Sequence, residues 1–497
     1  MAKLRYNSKR SVSTIIAVIL LIVGLVIGAG GVYVAIGTSS VTQTKTVTTG
    51  GAGSTVTTTV GGGTGGAPST VTTTVTGGAP AAQVCKSPKL TSPTSNATSV
   101  TSASGPPLSG TINIGVLDDL TDGLSTEGIK INFTAHQAVN DINAWLAHTT
   151  LAGKVTFNVN VQDYALDNTK AQNIMNTFKS DGITTVVGPL NSGTAQALLT
   201  FADSNQIVMI SPSSTSPALA IPNDYLFRTA PTDVNQGAAD ACIMWSQGVK
   251  ALIQVYRQDT YGSGLANYTK ADFTNDGGTV IDSIPYDTST TNFVPILQKV
   301  AADWTTASKS YDNNSIAIQL ISFDEGASLI QQASTNYPSL IKTPQPWYGV
   351  DGTEGEAVFT NSTIGSTMQT VRLPSTVFGY TNSSKTVTLC QQLLKAISQT
   401  CDSYPLGAYD DVWLAALSIL ACGTNSGACV QATLPTVAAN YYGVTGWTAF
   451  DGAGDRAYGD FLIYCVSGAS PSSLSWNVCG SWSQASDSVT WSAKPST

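Results

Sequence analysis

The sequence predicts an α/β fold with parallel sheets, preceded by a membrane-spanning helix and a stalk. Three observations carry this prediction. Short apolar runs alternate with helical patterns from about residue 108 onward, an uncharged apolar segment lies near the start, and a Ser/Thr/Gly-rich region separates the two. Strand–helix–strand repetition favours parallel strands with helices on both faces. In such sheets, ligands bind beyond the carboxyl ends of the strands.

The first 36 residues are typical of a membrane anchor. Residues 1–14 form a basic segment containing Lys3, Arg5, Lys9 and Arg10, and residues 15–36 are apolar. About 20 apolar residues cross a bilayer as a helix, and flanking cations stay in the cytoplasm. We therefore expect a single-pass protein of the cell membrane with its large domain outside the cell. The segment also resembles archaeal pilin-like signals, which predicts cleavage near Ser11, but an uncleaved anchor fits equally well.

Residues 37–107 are predicted to be a flexible stalk. From residue 38 to 78, 20 of 41 residues are Ser or Thr and 10 are Gly, and STVTTTV occurs twice. So few large apolar side chains do not offset the entropy of ordering the chain. The composition is typical of an O-glycosylated stalk, and an unmodified linker is the alternative.

The overall composition excludes some classes of protein. Charged residues make up 11% of the chain, the net charge is −8, and there is no basic run after the anchor. Those features argue against a partner nucleic acid. Eight cysteines in a charge-poor chain indicate an oxidising, extracellular setting. Two histidines (His136 and His148) and the absence of CxxC argue against a metal site.

Strands and helices alternate through the folded region. Apolar runs or strict alternation predict strands at 111–117, 154–161, 184–187, 207–210, 252–256, 316–321 and 347–350. Helical spacing predicts helices between them, among them one over 129–146 and others at 169–178, 193–202 and 293–302.

Two loops at strand ends are candidates for a ligand site. Residues 188–194 read GPLNSGT, and residues 211–217 read SPSSTSP. Hydroxyl groups beside the free amides of a helix start suit an anion such as a carboxylate. The same residues are also typical of helix caps and turns, which is the alternative interpretation of Ser192 and Thr215.

The order of motifs resembles the leucine/isoleucine/valine-binding family of ABC-transporter solute receptors. The resembling segments begin with INIGVLDDLT at 112 and the two hydroxyl-rich loops, then YLFRTAPTDVNQGAA at 225 and VYRQDTYGSGLA at 255. They end with PWYGVDGTEGEA at 346, AYDDVWLAALSIL at 408 and GVTGWTAFDGAGDRAYGDFLIY at 443. The resemblance implies a two-lobed type I periplasmic-binding (Venus-flytrap) fold over residues 108–497.

The resemblance also implies how the chain divides between lobes. Lobe 1 takes about 108–230 and 371–455, and lobe 2 takes about 231–370 and 456–497. Three hinge crossings are expected near 229–232, 369–372 and 455–459. Closure around a ligand that bridges the lobes is the expected functional motion.

The resemblance implies which residues bind the carboxylate of an amino-acid ligand. Ser192 contributes its hydroxyl and amide, Ser213 its amide, and Thr215 both groups. Ser214 lies in the same loop. Asn191 replaces a small residue or a cysteine beside this position.

The other expected contacts come mainly from the second lobe. Asp351 matches the acid that pairs with the ligand's ammonium, and Tyr261 and Phe323 match aromatic positions. Glu127 departs from the family, whose members often carry an aromatic residue just before Gly128. An inward Glu127 favours a polar or cationic ligand, whereas a solvent-facing one carries no information.

Proximity in sequence suggests how the cysteines pair. The expected disulfides are Cys390–Cys401, Cys422–Cys429, Cys465–Cys479 and, from the remainder, Cys85–Cys242. Eight cysteines allow 105 pairings, so spacing alone leaves others open. Six N-glycosylation sequons fit an extracellular glycoprotein.

The function expected from these features is capture of a solute for an ABC importer. The ligand is an amino acid, branched-chain or related, and the partners are a membrane permease and its ATPase. No cofactor is expected, and no GxSxG, HExxH or P-loop motif suggests an enzyme. A ligand sensor, a cell-surface adhesion or structural protein, and an amide- or urea-binding protein are the alternatives.

Overall fold

The computed structural model describes residues 55–60, 69–74, 83–85 and 107–493. The chain divides into two compact units between Gln83 and Val84. The expected anchor at 15–36 lies outside the described residues.

The first unit contains a pair of antiparallel strands, β1 (Thr55–Val60) and β2 (Ser69–Thr74). These strands are the two copies of the stalk repeat. Thr and Val are β-branched residues that favour extended backbone, as both copies of the repeat adopt here. The two-residue strand β3 (Gln83–Val84) lies at the boundary between the units.

The second unit begins with a parallel sheet in the spatial order β5-β4-β6-β7-β8. Its strands are β4 (Gly110–Asp118), β5 (Val155–Asp163), β6 (Thr185–Val187), β7 (Val208–Ser211) and β8 (Leu226–Arg228). The helices between them are α1 (Ser125–Leu146), α2 (Asn168–Ser180) and α3 (Ser192–Asn205). The predicted alternation of strands and helices is confirmed. Ile114, Val186 and Met209 are fully buried in the centre of this first lobe.

A second parallel sheet, ordered β10-β9-β11-β12, forms the second lobe. Its strands are β9 (Ala251–Arg257), β10 (Thr279–Tyr286), β11 (Ile316–Ile321) and β12 (Trp347–Tyr348). The helices of this part of the chain are α4 (Asp233–Ser246), α5 (Thr260–Asn275), α6 (Val294–Ala307), α7 (Glu325–Asn336), α8 (Pro338–Ile341) and α9 (Gly365–Val371).

The second lobe also contains an antiparallel sheet. The strands β13 (Ser375–Phe378), β16 (Phe461–Ser467), β17 (Ser475–Ser483) and β18 (Ser488–Trp491) lie side by side in that order. Because β13 pairs with β16, the second hinge crossing lies after Phe378, not near 369–372 as expected. The expected start of the returning first-lobe segment at 371 therefore shifts toward the C-terminus.

The chain then returns to the first lobe. This part contains α10 (Ser384–Ile397), α11 (Ser403–Cys422), α12 (Gly427–Ala439), and the short strands β14 (Tyr442–Gly443) and β15 (Gly446–Trp447). Among the described residues, α11 alone is long and apolar enough to cross a membrane, but 94% of its apolar window is buried inside the protein. It is therefore a core helix of the first lobe.

A buried ion pair joins two of the hinge crossings. Arg228, at the end of β8, donates to both carboxylate oxygens of Asp455 at 2.5 and 2.6 Å. The same guanidinium donates to the carbonyl oxygens of Ser214 and Ser216 at 3.1 and 2.7 Å. Arg228 is fully buried, so the hinge and the second hydroxyl-rich loop are held by one side chain.

Four disulfides join the eight cysteines, with the same partners as the pairing by proximity: Cys85–Cys242, Cys390–Cys401, Cys422–Cys429 and Cys465–Cys479. Cys390–Cys401 closes the loop that leads into α11. Cys465–Cys479 links the neighbouring strands β16 and β17.

Candidate ligand site

A cavity lies between the two lobes, beyond the carboxyl ends of the parallel strands. It is lined by Leu124, Glu127, Ile131, Leu190, Asn191, Ser192, Ser213, Tyr261, Phe323, Asp351, Gly352, Glu356 and Tyr404. Both lobes contribute to this wall, as expected of a two-lobed binding protein.

Hydroxyl groups tie the two strand-end loops of the first lobe together. The Ser192 hydroxyl accepts the backbone amides of Thr215 and Ser216 at 3.2 and 3.1 Å. The Ser213 hydroxyl donates to the Leu190 carbonyl at 2.7 Å. Ser192 therefore links the loops rather than capping its own helix. Its hydroxyl proton stays available to an acceptor in the cavity.

The start of α3 faces the same cavity. Asn191 occupies the N-cap position but makes no capping bond through its side chain. Its Oδ1 instead accepts from the Tyr164 hydroxyl at 2.9 Å, which orients the side-chain amide. Helix N-termini carry partial positive charge and attract anions. Together with Ser192, this geometry suits a ligand carboxylate.

Asp351 faces these groups from the second lobe. It is 5% exposed and accepts hydrogen bonds from the hydroxyls of Tyr261 and Tyr404. Gln236 Nε2 donates to Asp351 Oδ1 at 2.9 Å. Burial raises the pKa of Asp351, and these three donors act in the opposite direction. An ammonium group placed against Asp351 favours the ionised carboxylate.

An aromatic stack forms the second-lobe wall. The rings of Tyr261 and Phe323 lie 5.5 Å apart at an interplanar angle of 20°. Arg257 lies at the end of strand β9, and its guanidinium is 3.5 Å from the centre of the Phe323 ring. This packing fixes both rings at the cavity and offers an apolar surface to a ligand.

Glu127 points inward from the start of α1. The carboxylate of Asp119 accepts the amides of Asp122 and Leu124 at 2.9 and 2.8 Å, which shapes the loop before the helix. A Cβ at Gly128 would lie 1.7 Å from the Asp119 carbonyl, so only glycine permits this close approach. Glu127 is consequently 5% exposed and lines the cavity.

A buried lysine lies behind Glu127. Lys130 is fully buried and donates to Glu127 and, at 2.7 Å, to Asp402 Oδ2. Burial alone lowers the pKa of Lys130, but Asp402, Glu127 and Glu354 outweigh this effect and raise it above its ordinary value. Lys130 is therefore a permanent cation of the site.

The second lobe adds acids to this cluster through residues 354–356. Glu354 and Glu356 are 3% and 2% exposed. Gly355 between them adopts φ +76°, and a Cβ there would lie 2.8 Å from Glu127 Oε1 and 3.0 Å from Lys130 Nζ. Glycine at this position lets the backbone of one lobe pack directly on the ion pair of the other.

Most of the residues expected at the site line the cavity: Glu127, Asn191, Ser192, Ser213, Tyr261, Phe323 and Asp351. Ser214 and Thr215 do not line it. Ser214 donates to the Pro189 carbonyl at 3.2 Å, and the Thr215 amide is used by Ser192. The Thr215 amide is therefore occupied by a contact between the two loops.

The cavity also has lining residues that the sequence analysis does not predict. Tyr404 lies in the first turn of α11, four residues before the segment AYDDVWLAALSIL that resembles the family. Glu356 lies in the motif PWYGVDGTEGEA, five residues after Asp351. Leu124 and Ile131 flank Glu127 on α1 and its preceding loop.

Comparison with known proteins identifies the family. The model of the "receptor family ligand binding region" matches residues 132–469. The chain belongs to this family. Its solved structural neighbours are solute-binding proteins, and the family is one of binding domains rather than enzymes.

The curated relatives differ in how much of this chain, and of their own length, the similarity covers. An uncharacterised protein of Methanocaldococcus jannaschii is 28% identical over 76% of this chain and 91% of its own length. The leucine-specific-binding protein of Salmonella typhimurium is 33% identical, but over only 27% of this chain and 35% of its own length.

Solved structures share the family's two-lobed fold. The leucine-binding protein LivK of Thermotoga maritima matches with a TM-score of 0.60 and 17% identity, over 74% of this chain and 98% of its own. A Rhodopseudomonas palustris solute-binding protein in complex with benzoate matches with a TM-score of 0.60 and 17% identity, over 74% and 96%. At this identity the likeness shows the fold alone.

Proposed function

We propose that this protein is the extracellular receptor of an ABC importer and captures an α-amino acid between its lobes. One observation carries the proposal: the inter-lobe cavity places Asp351 of the second lobe opposite Asn191, Ser192 and Ser213 of the first. A buried anion facing hydroxyl and amide donors is complementary to an ammonium and a carboxylate on one small molecule.

Closure follows from this arrangement. A ligand that contacts Ser192 and Asp351 together makes bonds in the closed form that an open form cannot make. Several direct contacts already join the lobes at the cleft, such as the bond from the Ser216 hydroxyl to the Thr260 carbonyl at 2.9 Å. The closed form is the state that a permease recognises in this proposal.

Calorimetry on the full-length protein in detergent tests the proposal. The titrants are the common amino acids, benzoate, urea and short peptides. For each amino acid that binds, the amine and the carboxylic acid that lack one end of the head group serve as matched controls. We expect one amino acid to bind at least tenfold more tightly than either control. Absence of binding by every amino acid contradicts the proposal.

Uptake by cells separates transport from the alternatives of sensing and adhesion. Deletion of the gene abolishes uptake of the radiolabelled ligand if the protein feeds an importer. Unchanged uptake in the deletion strain, with binding retained in calorimetry, indicates a sensor or surface protein instead.

A further inference from the structure

The cavity has a second acidic end that the amino-acid head group does not use. Glu127 comes from the first lobe and Glu356 from the second, and both line the cavity. They are 5% and 2% exposed. Within the described part of the chain, Glu127 Oε2 and Glu356 Oε1 have no hydrogen-bond partner.

Acids outnumber the internal counter-ion at this end. Lys130 interacts with four buried carboxyl groups: Glu127, Glu354, Glu356 and Asp402. Burying an ionised carboxylate without a partner is costly, so such groups either find a cation or stay protonated. One lysine cannot neutralise four carboxylates.

The cavity also has an apolar part to its wall. Leu124 and Ile131 of the first lobe and the stacked ring of Phe323 line the same cavity. A chain of methylene groups fits such a wall, as it does where lysine and arginine side chains bury their stems.

We propose that Glu127 and Glu356 bind a positively charged group at the end of the ligand's side chain, so that the ligand is a basic amino acid rather than leucine. This inference rests on the proposed function, because Asp351 and Ser192 hold the head group. It assigns a specificity role to two carboxylates, one from each lobe, that close on the ligand together.

Matched pairs of ligands test the inference on the unmodified full-length protein. Lysine, ornithine and arginine are titrated against norleucine, norvaline and citrulline, which lack the terminal charge. We expect at least one basic amino acid to bind tenfold or more tightly than its uncharged partner. A ratio below tenfold for all three pairs overturns the inference.

The two possible failures are distinguishable. If norleucine, leucine or another neutral amino acid binds and the basic amino acids bind no more tightly, the inference is wrong but the proposed function is supported. If no amino acid of any kind binds, both fall.

A pair of variants within residues 354–356 locates the effect. Glu356→Gln removes a carboxylate that lines the cavity, and Glu354→Gln removes a buried one nearby that does not line it. We expect E356Q to reduce the preference for the basic ligand at least tenfold, with the affinity for the uncharged partner within threefold of wild type. We expect E354Q to change the preference less than threefold. Equal losses in both variants contradict direct binding by Glu356.

Discussion

The hydroxyl of Tyr404 in the first lobe donates a hydrogen bond to Asp351 in the second lobe. Both residues are buried, at 6% and 5% exposure, and both line the ligand cavity. One bond therefore belongs to the ligand site and to the contact between the lobes. Through it, the acid expected to hold the ligand's ammonium is also held in place by the opposite lobe.

Tyr404→Phe should weaken lobe closure. Hydrogen bonds to charged groups contribute about 1.5–3 kcal/mol, and we expect ligand affinity to fall roughly 3- to 30-fold because part of that energy favours the closed form. Hydrogen exchange should become faster in residues 351–357. Tyr409→Phe is the control, because Tyr409 lies on the same helix but donates to Asp141 within the first lobe at 2.7 Å. Equal effects of both variants contradict this role of Tyr404.

Asp351→Asn should reduce the affinity for the amino acid roughly 10- to 100-fold, since a charge-assisted bond to the ammonium is lost. Calorimetry with the ligand identified by the screen measures the change. Asp181→Asn is the control: this exposed residue precedes β6 at the end opposite the ligand loop. Wild-type affinity in D351N shows that another group pairs with the ammonium.

Arg228→Met should destabilise the fold by about 3–5 kcal/mol, because it leaves the carboxylate of Asp455 buried without its cation. Lys170→Met breaks an ion pair to Asp163 in which the lysine side chain is 46% exposed, and should cost about 1 kcal/mol or less. Urea unfolding of both variants provides the comparison. A loss in R228M no larger than that in K170M contradicts the importance of the hinge ion pair.

The thermal midpoint should rise as the pH falls from 8 to 5. Burial raises the pKa of Asp224 to about 7 and those of Asp272 and Asp324 to about 6. A carboxyl with a raised pKa binds protons more tightly in the folded chain, so protonation in this interval stabilises the fold. Asp163 has the opposite effect on stability. Burial alone raises its pKa, but hydrogen bonds from Leu120, Lys170 and Thr121 outweigh burial and lower the pKa to about 2. The stabilisation that Asp163 contributes is therefore lost below about pH 4.

Calorimetric melting of the wild type and Asp224→Asn across this pH range tests whether the thermal midpoint rises as the pH falls. The slope should be smaller in D224N, which no longer titrates at that position. A midpoint that falls steadily between pH 8 and 5 contradicts the prediction.

The affinity for a basic amino acid should increase with pH up to about 8. Burial raises the pKa of Glu356 to about 8, against the lowering effects of Lys130 and a bond from Thr126, while Asp324 and Asp402 add to the increase. Glu356 is thus protonated below that pH in the empty site, and a ligand cation must displace the proton. Calorimetry at pH 6 and pH 8.5 should show tighter binding at the higher pH, and E356Q should remove most of this difference.

Local patterns in the sequence are enough to predict most strands of the two parallel sheets and the edge at which the candidate ligand site lies. Strict alternation at 154–161 and apolar runs such as 316–321 report burial directly, because one face or both faces of each strand meet the core. The loops after β6 and β7 then lie together because neighbouring parallel strands end at one edge of the sheet.

The three-dimensional structure was needed for the direction of side chains and for partners distant in sequence. Glu127 lies in the first turn of α1, where the sequence is compatible with either an inward or an outward carboxylate, and the bonds to Asp119 and the approach at Gly128 decide the direction. Lys130 meets Asp402 across 272 positions of the chain. Tyr404 and Glu356 reach the cavity only because the two lobes close on each other. Contacts of this kind leave no periodic signal in the sequence, since each depends on how separate elements pack.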